Sequence, residues 1–277
     1  MTTLKRSVVV CVLLSLLAVP ALAQPGGQGN GDVDRVQQQD GTCDNSVANR
    51  DMIRDCDRVR DCDGTGAQQR GRGRGRGWGR RASWRAAQRD RQNQQLQDMG
   101  PLSDPEIEEV LYMRQEEKLA RDVYLTFSDT WLADVFETIA ASEQRHMDAV
   151  GRIIEAQELE DSVDEDTVGA FTDPFFTGLY TDLTEAGNVS YVDALKTGAY
   201  IEELDLADLA LALDIVENTH LIQVLENLQR GSRNHLRAFV RYLAAEGETY
   251  APQVLPQEDF DEIISSDVER GARRGRQ

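Results

Sequence analysis

The chain has 277 residues, and its 30 Lys and Arg against 49 Asp and Glu give a formal net charge of −19. The charge is unevenly spread: residues 64–97 hold nine Arg and one Asp, whereas residues 98–269 hold 10 basic and 39 acidic residues. So acidic a main region excludes a bulk electrostatic grip on DNA, and no specific DNA binding is expected of it.

Residues 1–23 read as a secretory signal peptide. Lys5 and Arg6 precede an apolar run from Val8 to Val19, and Ala21-Leu22-Ala23 offers a small-x-small cleavage site before Gln24. The run is shorter than an ordinary membrane span, and no later stretch approaches that length, so no span is expected once the signal is removed. The expected location is the periplasm or the extracellular space. Residues 24–97 contain too few apolar side chains to offset the entropy of ordering and read as disordered. Their first part is rich in Asp and carries Cys43, Cys56 and Cys62, an odd number that allows at most one internal disulfide. In the second part, Arg alternates with Gly from Arg70 to Arg81, a tether or a docking arm for an acidic partner.

From residue 98 the pattern is helical. Ser103 and Glu106 form a capping box with Pro105 in the first turn, and the helix they open runs to about Ser128. Its inward stripe is Val110, Met113, Glu117, Ala120, Tyr124 and Phe127, spaced by three and four. A second helix, capped by Asp129 or Thr130, runs to about Gln157 with the stripe Phe136, Ile139, Glu143, His146, Val150 and Ile153. Residues 158–189 form a long connection with a short helix around Phe175 to Thr184. A third helix starts at Ser190 with the stripe Val192, Leu195, Ala199, Glu202, Leu206, Leu209 and Leu213. After a break near residues 217–219, a fourth carries Leu221, Leu225, Leu228, Ser232, His235, Phe239 and Tyr242 and stops before Gly247. With no alternating strand pattern, the fold class is all-α: a four-helix bundle over residues 98–250 with one long crossover, preceded by a disordered segment and followed by a flexible tail, 251–277.

The polar intruders in these stripes are carboxylates and imidazoles: Glu117, Glu143 with His146 one turn on, Glu202, and His235. Each falls near the middle of its helix, so a four-helix core brings them to one level. Buried carboxylates without partners must take up protons or a cation. Carboxylate oxygen with neutral imidazole suits iron or manganese, and zinc less exclusively. Glu143 is placed to bridge two ions, with Glu117 and His146 on one side and Glu202 and His235 on the other. The stripe positions favour Glu117 over its neighbour Glu116, and Glu202 over Glu203.

These residues resemble the ferritin-like di-iron carboxylate superfamily, which includes rubrerythrin and the bacterioferritins and carries Glu on two helices and Glu-x-x-His on the other two. Glu117, Ala120 and Tyr124 match the spacing of the rubrerythrin-like first helix. The segments 116–124, 142–146, 198–209 and 231–236 are similar to those of an uncharacterised ferritin-like group of bacteria and archaea. The resemblance covers about residues 100–250. It departs at the fourth helix, where Ser232 stands in place of the expected Glu three residues before His235. Five ligands remain, with Asp205, one turn after Glu202, as the candidate replacement. The resemblance implies two iron ions, or one with a weaker second, and oxidase, peroxidase or ferroxidase chemistry with O2 or H2O2. Tyr124 is a candidate donor to a ligand or a redox-active phenol. Iron sequestration or delivery without turnover stays open, as does a metal-free helical module acting through the Arg/Gly arm. A monomer or homodimer is expected, because so acidic a domain repels its own copies.

Overall fold

A computed structural model describes residue 96 and residues 98–270; the signal-like segment, the Asp/Cys and Arg/Gly stretches and the last seven residues lie outside the described residues. Among the described residues there are six helices and no strand: α1 (Asp104–Trp131), α2 (Asp134–Ala156), α3 (Pro174–Gly187), α4 (Tyr191–Ile215), α5 (Thr219–Ala245) and α6 (Gln257–Ser265). None is long and apolar enough to cross a membrane.

Two-residue and three-residue links make antiparallel hairpins of α1 with α2 and of α4 with α5. These pairs pack most extensively, α3 lies against both α1 and α4, and α6 lies on α5. The result is the expected four-helix bundle with one long crossover, which carries α3. One end of its interior is aliphatic, with Val110, Met113, Val150, Ile153, Leu209 and Leu225 among its members. The other end is aromatic: the rings of Tyr124 and Phe239 lie 5.4 Å apart, as do those of Phe127 and Phe136.

The start of α1 is fastened twice over. Ser103 donates both its backbone N–H and its hydroxyl to Glu106 Oε2 at 2.9 Å. The other oxygen of Glu106 accepts the N–H groups of Glu217 and Asn218 at 3.0 and 2.7 Å, tying this cap to the α4–α5 turn. Asn218 in turn caps α5 through the N–H groups of His220 and Leu221, and Ser190 caps α4 through Asp193.

The break between α1 and α2 falls later than the turn residues suggest. Asp129 and Thr130 do not cap α2; both continue α1, where the Thr130 hydroxyl donates to the carbonyl of Thr126 at 2.9 Å. The chain turns at Leu132 (φ 50°) and enters α2 from Ala133, which offers no capping side chain. Asp134 and Glu137 in the first turn of α2 supply negative charge to the helix N-terminus instead.

The crossover is held by basic residues on the outer side of α1. Arg114 donates to Asp161 at 3.0 Å, pairs with Glu165, and reaches the Met147 carbonyl at 2.8 Å. Lys118 is fully buried, pairs with Asp122, donates to the Thr167 carbonyl at 2.9 Å, and lies 4.5 Å from the centre of the Phe171 ring. Arg121 spans Asp122, Gln144 and the Glu165 carbonyl. Gly169 (φ +75°) donates its N–H to Asp122 at 2.9 Å, and a Cβ there would stand 2.6 Å from the Tyr180 ring, so glycine is required on two counts.

Residues 251–270, expected to be a flexible tail, are folded onto the bundle. Glu203 accepts the N–H groups of Gln253, Val254 and Leu255 at 2.9 to 3.1 Å and the Tyr250 hydroxyl at 2.6 Å. Further on, Glu269 pairs with Arg233 and Arg237 at 2.6 and 2.9 Å. A buried carboxylate collecting four donors and an acid between two guanidinium groups are long-range partners that a local pattern does not reveal.

Candidate metal centre

Glu117 comes from α1, Glu143 and His146 from α2, Glu202 from α4 and His235 from α5. Three of the four helices contribute one side chain on the inward face, and α2 contributes two because positions i and i+3 share a face. The structure brings all five together midway between the aliphatic and aromatic ends. In one group, Glu117, Glu143 and His146 place ligating atoms within 4.8 Å of one another; in the other, Glu143, Glu202 and His235 do the same. Glu143 belongs to both. Its Oε2 lies 2.7 Å from His146 Nδ1, and its Oε1 lies 2.7 Å from His235 Nδ1. The two imidazoles stack with ring centres 5.6 Å apart.

Burial is deep. Glu117, Glu143 and His235 are 1% exposed and Glu202 is 2% exposed, so a cation could reach them only through the fold, while His146 at 8% is the ligand nearest solvent. Hydrogen bonding is incomplete. His235 Nδ1 sits close to Glu143 Oε1 and 3.4 Å from Glu202 Oε2 without hydrogen-bonding geometry, and its Nε2 has no partner. Glu117 Oε1 and Glu143 Oε1 are also without hydrogen bonds. Orphaned carboxylate and imidazole atoms in two groups that share Glu143 could each hold a metal ion through oxygen and nitrogen donors.

The electrostatics agree. Burial pushes Glu117 up to about 7, with repulsion from Glu143 adding to it and His146 opposing it. Burial also raises Glu143, but His235 and His146 outweigh it and hold this carboxyl well below the usual range. Burial lowers both histidines, yet Glu143 and Glu117 raise His146 well above its ordinary value, while Glu143 and Glu202 raise His235 to about 10. The imidazoles therefore carry protons that a metal would have to displace.

Neighbouring groups position the ligands. The Tyr124 hydroxyl donates to Glu202 Oε1 at 2.6 Å and lies 3.3 Å from the Gly198 carbonyl. Burial, then the charges of Glu202 and Glu143, raise this phenol far above its ordinary value, so it stays a donor. Gly231 lets α5 approach His146: a Cβ there would stand 2.5 Å from both Cε1 and Nε2 of the ring. Ser232, in the place of the absent Glu, donates to Asp205 Oδ2 and lies 3.0 Å from the Leu228 carbonyl, leaving Asp205 Oδ1 buried without a partner. Burial, and then the charges of Glu117 and Glu202, raise Asp205, which belongs to neither triad.

The stripe separates Glu117 from Glu116 and Glu202 from Glu203, but the neighbours are not solvent-facing. Glu203 is fully buried as the anchor of residues 250–255, and Glu116 is 8% exposed, its carboxyl pushed up by burial and then by the charges of Asp208 and Asp205 of α4. Sequence reasoning missed this second acidic group; the three-residue spacing of Asp205 and Asp208 is the signal that could have found it.

Residues 106–267, more than half of the chain, match the model of a family described as "Uncharacterized protein domain (DUF2202)". The chain belongs to that family. Among curated proteins it is 50% identical over 174 residues to "Uncharacterized protein MJ0754" of Methanocaldococcus jannaschii, covering 63% of this chain and 94% of that relative. Among solved structures it is similar to the crystal structure of hypothetical protein MJ0754 from Methanococcus jannaschii, at 49% identity and a TM-score of 0.60, covering 61% of this chain and 97% of that one. The family match spans the bundle and most of the folded C-terminal segment, so all five converging residues lie inside it.

Proposed function

We propose that the protein is an exported, ferritin-like metal-binding protein whose bundle holds two iron ions. The observation that carries this reading is the pair of buried triads sharing Glu143. Glu117 and His146 would hold one ion and Glu202 and His235 the other, with Glu143 common to both groups. Asp205, oriented by Ser232, stands in for the carboxylate missing from α5. Manganese fits the same donors. When bound, a ferrous pair supplies two electrons for the reduction of O2 or H2O2, or is itself oxidised as cargo.

The chain's own contribution is positional. The aliphatic and aromatic ends keep bulk water from the middle of the bundle, which strengthens each charge interaction there. Tyr124 fixes the orientation of Glu202, and Glu143 reaches both imidazoles. Metal uptake releases protons from His146 and His235, so affinity rises with pH across the range in which they titrate.

The test is metal stoichiometry by mass spectrometry after anaerobic ferrous loading and desalting. About two irons per chain are expected, and Glu143→Ala should lose the paired site. No metal in a folded wild type would refute the reading; two irons at unchanged affinity in Glu143→Ala would refute the bridge. Mixing the loaded protein with O2 or H2O2 then separates repeated peroxide consumption, which makes it an oxidoreductase, from a single oxidation with iron retained. Export is tested by sequencing the N-terminus of protein recovered from the periplasm of a bacterial host, where cleavage should leave Gln24 first.

A further inference from the structure

Residues 250–270 follow α5 and fold back onto the α4–α5 hairpin, which they grip at two places. On α4, Glu203 collects the Tyr250 hydroxyl and the N–H groups of Gln253, Val254 and Leu255. On α5 the grip centres on Glu269, whose carboxylate accepts from both Arg233 and Arg237. The Asn234 side chain accepts the Glu269 N–H at 2.9 Å and donates to the Glu269 carbonyl at 3.0 Å. Arg237 also donates to the Ile263 carbonyl and the Ser266 hydroxyl, both at 2.7 Å. Between the two grips, Phe260 of α6 is 2% exposed, its ring 5.9 Å from that of Tyr250.

Each grip lies back to back with a residue of the triad Glu143, Glu202 and His235. Glu203 follows Glu202 in the chain; Asn234 precedes His235, with Arg233 and Arg237 two residues to either side of it. Consecutive helical residues point about 100° apart, so the same turn can send one side chain into the bundle and the next out to residues 250–270. His235 depends on this backing. A histidine that binds metal is usually oriented by a hydrogen bond at its second nitrogen, but neither ring nitrogen of His235 makes one. Its placement therefore falls to the α5 backbone. His146 is fixed differently, by Glu117 Oε2 at 3.2 Å from its Nδ1 and by the close approach of Gly231. Binding constellations must be held to about 0.5 Å, so a turn free to shift would blunt the site.

We propose that residues 250–270 are a strap that sets α4 and α5 for an ion at Glu143, Glu202 and His235, so that docking of the strap and occupancy of that triad are linked. The inference rests on the two-metal reading above. With the strap docked, the turns that carry Glu202 and His235 are held, and an ion meets a formed site. With it released, ordering those turns falls to the ion, and affinity drops. The coupling runs both ways: the factor by which docking strengthens binding of the ion is the factor by which the ion strengthens docking. All three residues of the other triad, Glu117, Glu143 and His146, ride on the α1–α2 hairpin, so an ion there is insensitive to the strap. Glu203, Arg233, Asn234 and Arg237 are thus positioning residues that act through Glu202 and His235.

The probe is Mn2+ on the full-length chain. Phe260→Ala/Glu269→Ala loosens the strap through its own residues and leaves α4 and α5 unsubstituted, while Glu117→Ala and Glu202→Ala backgrounds isolate the two triads in turn. In the Glu117→Ala background, loosening the strap should weaken Mn2+ binding about tenfold, the lower end for disturbed metal-site support. In the Glu202→Ala background it should leave binding unchanged. Leu221→Ala, a cavity at the aliphatic end, is the control for lost stability and should leave both affinities unchanged. In wild type, saturating Mn2+ should slow hydrogen exchange through release of the strap, at the amides of Val254, Leu255 and Glu269, by the same factor of about ten. Unchanged affinity in the Glu117→Ala background, equal losses in both backgrounds, or exchange at those amides indifferent to two bound ions overturns the coupling. Failure of the two-metal reading has a different signature: folded wild type takes up no Mn2+, and the coupling falls with it.

Discussion

Gly231→Ala is the most informative single change, because its effects on folding and on metal binding pull apart. An added Cβ would lie 2.5 Å from Cε1 and Nε2 of His146, where ordinary contact needs about 3.5 to 4.0 Å. The ring must therefore retreat by about 1 Å. Overpacking of this kind costs about 1–3 kcal/mol, and replacing a mid-helix glycine by alanine returns about 0.5–1 kcal/mol. The net loss of about 0–2.5 kcal/mol lowers Tm by no more than about 10 °C, so the variant still folds. Metal binding fares worse, since a metal–nitrogen bond of about 2.1 Å does not survive a ligand shift of half its length. Affinity at the triad of Glu117, Glu143 and His146 should fall roughly 10- to 100-fold, the range typical of disturbed metal-site support. The triad of Glu143, Glu202 and His235 should change less. Competition titration against a chromophoric chelator measures both affinities, and thermal melts of the metal-free protein report folding. Leu221→Ala, in the aliphatic end, is the control: it should lose about 2–5 kcal/mol and keep its metal affinity. If Gly231→Ala bound both ions as tightly as wild type, His146 would not be a ligand held by the close approach of α5.

Lys118→Met removes one of the two bases paired with Asp122, Arg121 being the other; it should cost about 1.5–3 kcal/mol and lower Tm by roughly 5 °C, and a melt unchanged within about 2 °C would show that the Lys118 pair does not secure the crossover. Glu203→Gln puts an amide where a carboxylate collects four donors, costing about 2–3 kcal/mol; hydrogen exchange should speed up at the amides of Val254 and Leu255 and leave α1 and α2 protected. Burial raises Glu269, but hydrogen bonds from Arg233 and Arg237 outweigh it and hold the folded-state value below 4.5. Its stabilising contribution is thus complete above that value and is lost as pH falls through the folded one, so wild type should lose stability more steeply than Glu269→Gln on acidification below about pH 5. Parallel pH-melting curves for the two proteins would remove Glu269 as a source of acid sensitivity.

Much of the bundle is legible from spacing. Apolar residues three and four apart define one face, and side chains of the wrong polarity on that face, Glu117, Glu143, His146, Glu202 and His235, are the ones the fold gathers. The same logic misjudges the residues next door. It assumes each helix keeps one wet face, but α1 is covered by α2, α3, α4 and the crossover, and α4 by α1, α3, α5 and residues 250–255. Glu116 and Glu203 therefore have no water to point at and are buried, Glu203 against Tyr250 and the amides of residues 253–255. The turn at Leu132 carries no glycine or asparagine to announce it, and the folding of residues 251–270 depends on Glu203, Arg233 and Arg237, which lie some 30 to 50 positions earlier. Contacts at that separation leave no local pattern.

The division of ligands between the two hairpins is unequal. The α1–α2 hairpin carries one complete triad by itself, whereas α4–α5 supplies only Glu202 and His235 and must borrow Glu143. One ion can therefore be held by half of the molecule, but the other exists as a site only where the halves have come together. Occupancy of that second position is a report on assembly. A cation bound there favours the docked arrangement by mass action in proportion to its free concentration, so the hold between the halves should tighten when metal is plentiful and slacken when it is scarce.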